Sequence, residues 1–180
     1  MLPLLDRLAG RRFDDLPGVS YRTPAGAVVC NEGKPLIEDL DRLPMPAYDA
    51  YPIAELGLDR IHVEAGRGCP FSCTFCSTAT FFGRRYRLKS AARLLAEMDH
   101  LHRVYGFVDF NLTHDLFTVN RKKIFEFCEA VQDRSYGWHC SARVDCVDRE
   151  LLQAMAKAGC HDIYFGIETG SARMQAISCA

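Results

Sequence analysis

The chain has 180 residues, with 22 Lys and Arg against 23 Asp and Glu and a formal net charge of −1. The length suits one domain or part of a larger one. The near-neutral charge argues against a nucleic-acid module, which usually has a strongly basic face, so we expect no nucleic-acid partner. No apolar run approaches the roughly 18 to 20 residues that span a bilayer, and the apolar start is too short for a secretory signal. We therefore expect a cytoplasmic protein without a membrane span.

The first 60 residues are rich in turn-forming residues, with seven of the eight prolines of the chain. Short apolar stretches at residues 18–22 and 27–30 predict two short strands, and the prolines argue against long helices. We interpret residues 1–60 as a linker or extension.

Strand and helix patterns alternate from residue 61 onward. Four strands are predicted at residues 61–65, 107–112, 138–142 and 163–167. The three long helices between them are predicted to begin after Ser90, Asn120 and Asp148, and the first and third to end at Gly106 and Gly159. This order predicts an α/β fold with a parallel sheet. Because the sheet would stop at an open edge, we expect the chain to be a fragment.

Cysteine is the most informative residue type. Nine cysteines among 180 residues are too few for a small disulfide scaffold, and the number is odd. Three of them, Cys69, Cys73 and Cys76, have C-x₃-C-x₂-C spacing. Three thiolates on one loop can bind three irons of a cubane cluster and leave the fourth iron open, whereas structural zinc usually takes four ligands. A buried apolar cluster and a fortuitous zinc loop remain the alternatives.

The other cysteines and the histidines show weaker patterns. Cys128 lies on the apolar stripe of a predicted helix and is assigned to the core. Cys140 and Cys146 flank the third strand end, where an extra metal ligand stays open. No partner at ligand spacing is found for Cys30, Cys160 and Cys179, and none is found among His62, His100, His102, His139 and His161.

With Phe75 preceding Cys76, the loop resembles the C-x₃-C-x-Φ-C signature of radical S-adenosylmethionine (SAM) enzymes. The resemblance implies that Cys69, Cys73 and Cys76 bind a [4Fe–4S] cluster and that SAM binds its open iron. Reductive cleavage of SAM would give a 5′-deoxyadenosyl radical that acts on a small-molecule substrate. It also implies a partial (β/α) barrel over residues 61–180, with about four of six βα units, and an external electron donor such as flavodoxin or ferredoxin. Phe75 would lie beside the adenine.

Polar residues at two further strand ends are candidates for binding SAM. His114 and Asp115 stand where the family often carries Gly-Gly-Glu, so the resemblance assigns Asp115 to the SAM amino group; a turn cap is the alternative. Ser141 and Arg143 follow the third strand and would reach the SAM ribose and carboxylate. An ion pair of Arg143 with Asp145 or Asp148 is the alternative.

Residues 166–170, Gly-Ile-Glu-Thr-Gly, resemble a stretch that follows the fourth strand in many radical SAM proteins. Glu168 would point toward SAM at the barrel mouth, and Arg143 is the partner expected for a buried carboxylate there. The basic run at residues 83–89 is interpreted as a solvated or substrate-facing loop rather than an RNA site.

Residues 37–49 resemble the linker that joins a cobalamin-binding domain to a radical SAM domain. The resemblance implies that residues 1–60 follow a cobalamin-binding domain whose D-x-H-x-x-G signature this chain lacks. It further implies methyl transfer or ring formation on a lipid or natural product. An iron–sulfur electron-transfer or binding module and an inactive truncated remnant stay open as alternatives, and no catalytic residue is assigned.

Overall fold

The computed structural model describes residues 2–8, 10, 12–33 and 36–178. Contacts divide the chain into two units, residues 1–38 and 39–180. The first unit contains helix α1 (Leu2–Leu8) and an antiparallel pair of strands, β1 (Ser20–Arg22) and β2 (Val28–Cys30). Both strands predicted from the sequence are confirmed. Their short lengths follow from the frequent turns in this part of the chain.

The second unit alternates strands and helices. Its elements in chain order are β3 (Ile61–Glu64), β4 (Gly66–Arg67), α2 (Thr78–Phe82), β5 (Arg87–Leu88), α3 (Ala91–Tyr105), β6 (Asp109–Thr113), α4 (Arg121–Val131), β7 (Gly137–Ala142), α5 (Arg149–Lys157), β8 (Cys160–Phe165) and α6 (Ala172–Ser178). Short 3₁₀ turns lie between several of them. Within the described ranges, no helix is both long enough and apolar enough to cross a membrane.

Four strands form the main sheet in the order β3-β6-β7-β8, and all neighbouring pairs are parallel. Successive strands are joined by segments containing α3, α4 and α5, as expected for parallel strands, which need long crossovers. The predicted α/β class with four βα units is therefore confirmed.

The ends of the long helices lie where the sequence predicts them. The side chains of Ser90, Asn120 and Asp148 each accept a hydrogen bond from a backbone N–H in the first turn of the following helix. Gly106 ends α3 with a φ of 79°, in the left-handed region that glycine adopts without a steric penalty.

The core lies on the helix side of the main sheet. Phe110 and Trp138 are fully buried on neighbouring strands, and the Trp138 ring makes an edge contact with Phe127 of α4 at 5.3 Å between centroids. Side chains alternate between faces along a strand, so the next positions are on the opposite face. There Asn111 Nδ2 lies 3.2 Å from Nδ1 of its registered neighbour His62, which makes this face polar.

β8 begins earlier than predicted, at Cys160 rather than residue 163, and ends at Phe165. Residues 160–162 are polar and lack the apolar pattern of a strand, so the sequence gives no signal there. Backbone pairing with β7 decides the start, since Trp138 pairs with Cys160 and the register then shifts by one residue before His139 pairs with Asp162.

Candidate cofactor site

The cysteine loop, residues 69–76, is held at its base by a small antiparallel pair. Gly66 of β4 pairs with Leu88 of β5, next to the carboxyl end of β3. A Cβ on Gly66 would lie 2.3 Å from the carbonyl oxygen of Arg87, and one on Gly68 would lie 2.2 Å from that of Arg85. Gly68 also has a φ of 83°. Only glycine therefore fits these two positions, because a side chain at either one would clash with a backbone carbonyl.

Asp115 bridges the two ends of the cysteine loop. Its Oδ2 accepts a hydrogen bond from the backbone N–H of Gly68 at 2.8 Å, and its Oδ1 accepts one from Oγ1 of Thr78 at 3.2 Å. Gly68 directly precedes the loop, and Thr78 begins α2 just after it. The carboxylate thus ties the loop to the end of β6. Its contact with the SAM amino group stays a prediction.

His114, next to Asp115, is buried and supports the base of the loop. Its Nδ1 accepts a hydrogen bond from the N–H of Leu116 at 2.8 Å, so the proton lies on Nε2, 3.2 Å from the carbonyl oxygen of Arg87. Burial lowers the pKa of His114 to about 4, which keeps the ring neutral. Sequence analysis missed this role, because a single histidine at a strand end gives no signal of burial.

The three thiols of the loop differ in exposure. Cys69 and Cys73 are partly buried, whereas Cys76 is exposed. Burial raises the pKa of the Cys69 thiol, and the negative charge of Asp115 acts in the same direction. A backbone hydrogen bond from Phe71 and the charge of Arg143 lower it. In the part of the chain that the structure describes, no group of three or more His, Cys, Asp and Glu side chains is placed to hold a metal ion. The fit to a cluster with an open iron thus rests on the chemistry of the donors, three thiols on one loop, and the ligand assignment stays a prediction.

Arg143 approaches the loop from the end of β7. Its Nη1 lies 3.6 Å from Sγ of Cys73, and its guanidinium carbon lies 3.9 Å from the centroid of the Phe71 ring. Asp145 accepts hydrogen bonds from Nε at 2.9 Å and Nη2 at 2.7 Å, which lowers the pKa of Asp145. Of the two ion pairs considered from the sequence, the one with Asp145 is formed. Asp148 instead pairs with Arg121.

The remaining predicted SAM contacts are spread along the same edge of the sheet. Phe75 is exposed on the loop, and Ser141 is half-buried near the carboxyl end of β7. Glu168 follows β8 with a φ of 61° and is exposed. The expectation of a buried carboxylate at Glu168 is therefore wrong, because it lies beyond β8, the outermost strand described in this sheet. The roles of these residues toward SAM stay predictions.

The additional cysteines fall into two groups. Cys128 is buried, which confirms its assignment to the core, and Cys140 is buried with it, so Cys140 is not available as an extra ligand. Cys146 is partly buried, and burial is the main cause of its raised pKa, followed by the negative charge of Asp145. Cys179 lies outside the described residues.

Comparison with known proteins agrees with this geometry. The model of the radical SAM superfamily matches residues 63–179. An uncharacterised methyltransferase of Pyrococcus horikoshii is 35% identical over 177 residues, which cover 95% of this chain and 38% of that protein. An anaerobic magnesium-protoporphyrin IX monomethyl ester cyclase of Rubrivivax gelatinosus is 32% identical, over 86% of this chain and 29% of that protein. This chain thus spans less than half the length of these relatives.

Solved structures show the same fold. The cobalamin-dependent SAM radical enzyme OxsB, solved with aqua-cobalamin and SAM, has a TM-score of 0.82 at 21% identity, over 99% of this chain and 28% of that one. The radical SAM methyltransferase TsrM of Kitasatospora setae has a TM-score of 0.75 at 17% identity, over 96% of this chain and 36% of that one. The predicted partial barrel is confirmed by this likeness. Since the family model matches most of the chain, including the three-cysteine loop, the chain belongs to the radical SAM superfamily, an enzyme family, as the loop predicted.

Proposed function

We propose that this chain binds a [4Fe–4S] cluster through Cys69, Cys73 and Cys76 and forms the SAM-cleaving part of a radical SAM enzyme. The observation that carries the proposal is the placement of the loop: Asp115 ties both of its ends to the carboxyl end of β6. Active sites of βα barrels lie at this end of the strands. When bound, the cluster and SAM would supply reductive cleavage of SAM to a 5′-deoxyadenosyl radical. The protein's part is to position the loop and orient SAM.

We infer the SAM contacts from position. Asp115, Ser141 and Glu168 lie at or beyond the carboxyl ends of three neighbouring parallel strands, β6, β7 and β8. The carboxylate of Asp115 complements the ammonium of SAM, and the hydroxyl of Ser141 suits a ribose oxygen. Phe75, exposed on the cysteine loop, offers a ring surface to the adenine. Glu168, which follows β8, is proposed to face SAM at the same edge of the sheet.

We propose for the whole protein a cobalamin-dependent methyl transfer or ring formation on a lipid or natural product, with residues 1–60 as the segment that follows a cobalamin-binding domain. The names of the relatives, methyltransferases and cyclases, support this reaction class. An external electron donor such as flavodoxin or ferredoxin would reduce the cluster. An electron-transfer module and an inactive remnant are the competing functions.

The test is anaerobic reconstitution with iron and sulfide, followed by iron counting and EPR of the reduced protein with and without SAM. We expect about four irons per chain and a spectrum that shifts on adding SAM. Cys73→Ala should lose the cluster, whereas Cys30→Ala, at an exposed cysteine in the first unit, should retain it. A cluster whose EPR spectrum does not change on adding SAM would favour the electron-transfer module. A folded chain without iron would refute the ligand assignment.

A further inference from the structure

Arg143 and Cys73 are 70 residues apart in sequence, yet the fold places them in contact. The guanidinium Nη1 is 3.6 Å from Sγ of Cys73, within the range of an N–H···S hydrogen bond. The same side chain packs over the ring of Phe71, 3.9 Å from its centroid. Both Phe71 and Cys73 belong to the cysteine loop, so one cation is held directly against it.

Two contacts fix the orientation of the Arg143 guanidinium. Asp145 binds the Nε and Nη2 edge of the guanidinium at 2.9 and 2.7 Å, and the ring of Phe71 covers one face. A guanidinium is planar and rigid, so fixing one edge and one face also fixes where Nη1 points. The side chain is 24% exposed, which reduces screening of its charge by water.

We propose that Arg143 donates a hydrogen bond to the sulfur of Cys73 in the cluster-bound protein and thereby raises the reduction potential of the cluster. The inference rests on the proposed function, in which Cys73 is a ligand. Reduction transfers one electron from an external donor to the cluster and increases its negative charge. A cation beside a ligand sulfur therefore stabilises the reduced state more than the oxidised state.

This role differs from the contact with the SAM carboxylate expected from the sequence. A carboxylate is bound best by two parallel N–H groups of one guanidinium edge. The Nε and Nη2 edge of Arg143 already binds the carboxylate of Asp145, and Nη1 is directed at Cys73. One edge of the guanidinium therefore binds Asp145, and Nη1 faces the cysteine loop.

The test is a redox titration of the reconstituted protein in the absence of SAM, followed by EPR. At the potential where the wild-type cluster is half reduced, Arg143→Gln should show about a tenfold lower ratio of reduced to oxidised cluster, a downward shift of about 59 mV for one electron. Arg143→Lys keeps the charge and should change the ratio much less. Arg134→Gln is the matched control, because Arg134 forms a two-bond pair with Asp99 at 3.3 and 3.4 Å and lies before β7, at the opposite end of that strand from Arg143.

The SAM affinity of each variant separates the competing roles. An unchanged potential with weaker SAM binding would overturn the proposal in favour of the carboxylate contact, and no change in either would leave Arg143 a purely structural role. Circular dichroism and iron content are measured first. If Arg143→Gln takes up no cluster, the titration is done on Arg143→Lys. A tenfold lower ratio of reduced to oxidised cluster in that variant would contradict the argument from charge. A wild-type chain without iron would instead refute the proposed function.

Discussion

The buried ion pair between Lys89 and Glu97 offers a sharp test of what holds the cysteine loop in place. The Glu97 side chain is completely buried on α3 and accepts two bonds from Nζ of Lys89, both 2.9 Å, and one from Nε of Arg93 at 2.7 Å. Lys89 follows β5 directly, and its N–H donates to the carbonyl oxygen of Ala65. The ion pair therefore holds the end of β5, which supports the base of the cysteine loop, against α3. Both Arg87 and Lys89 are buried, so the interpretation of residues 83–89 as a solvated loop is wrong for this end of the run.

We expect Glu97→Gln to lower the free energy of unfolding by about 3–5 kcal/mol. The amide keeps the shape of the side chain but carries no charge, so the ammonium of Lys89 stays buried without its partner. Removing one member of a buried ion pair lowers the free energy of unfolding by about this amount. Loss of two charge-assisted hydrogen bonds, at about 1.5–3 kcal/mol each, gives a similar figure. Replacing Lys89 and Glu97 together by Met should cost less than Glu97→Gln, because no unpaired charge remains at Lys89.

Urea unfolding followed by tryptophan fluorescence measures this directly. Trp138 is the single tryptophan of the chain and is fully buried in the second unit, so it reports on that unit. Glu126→Gln is the matched control: Glu126 forms an exposed i,i+4 pair with Lys122 at 3.8 Å and should change stability by no more than about 0.5 kcal/mol. Equal costs for the two substitutions would refute the argument from burial.

Three further predictions address the base of the loop and the start of α3. The folded-state pKa of His114, about 4, lies below its ordinary 6.5, so the stability from its neutral ring is complete above pH 6.5 and falls by about 3 kcal/mol as the pH drops to 4. In urea unfolding, the loss of stability between pH 7 and pH 4 should therefore be about 3 kcal/mol larger in the wild type than in His114→Gln, which lacks this titrating group. In thermal unfolding, Gly68→Ala should lower the free energy of unfolding by about 2 kcal/mol or more, and it should reduce iron uptake. Gly83 has a φ of 60° but open space around it, so Gly83→Ala should lower the free energy of unfolding by only about 1–2 kcal/mol and retain iron. Ser90→Ala should cost about 1 kcal/mol by loss of the hydrogen bond to the N–H of Arg93, and a change below about 0.3 kcal/mol in urea would contradict the cap.

Features that depend on neighbouring residues in the sequence were predicted well. The caps at Ser90, Asn120 and Asp148 are confirmed, as are the four strands of the parallel sheet, although β8 begins three residues early. The three-cysteine loop and its resemblance to radical SAM enzymes were also found from a few neighbouring residues. These successes share a cause: helix caps, apolar periodicity and short sequence motifs extend over a few residues, so the local sequence contains them in full.

The surroundings of the loop were decided by tertiary structure. The sequence offered Asp115 and Arg143 as polar residues at strand ends, but their observed partners, Gly68 with Thr78 and Cys73 with Asp145, depend on how the ends of β6 and β7 lie beside the loop. The sequence by itself therefore determined the order of strands and helices and, through a resemblance, the superfamily. Only the tertiary structure decided which polar groups form hydrogen bonds with each other. Burial and hydrogen bonding between distant segments depend on the relative placement of whole strands, and no local pattern specifies that placement.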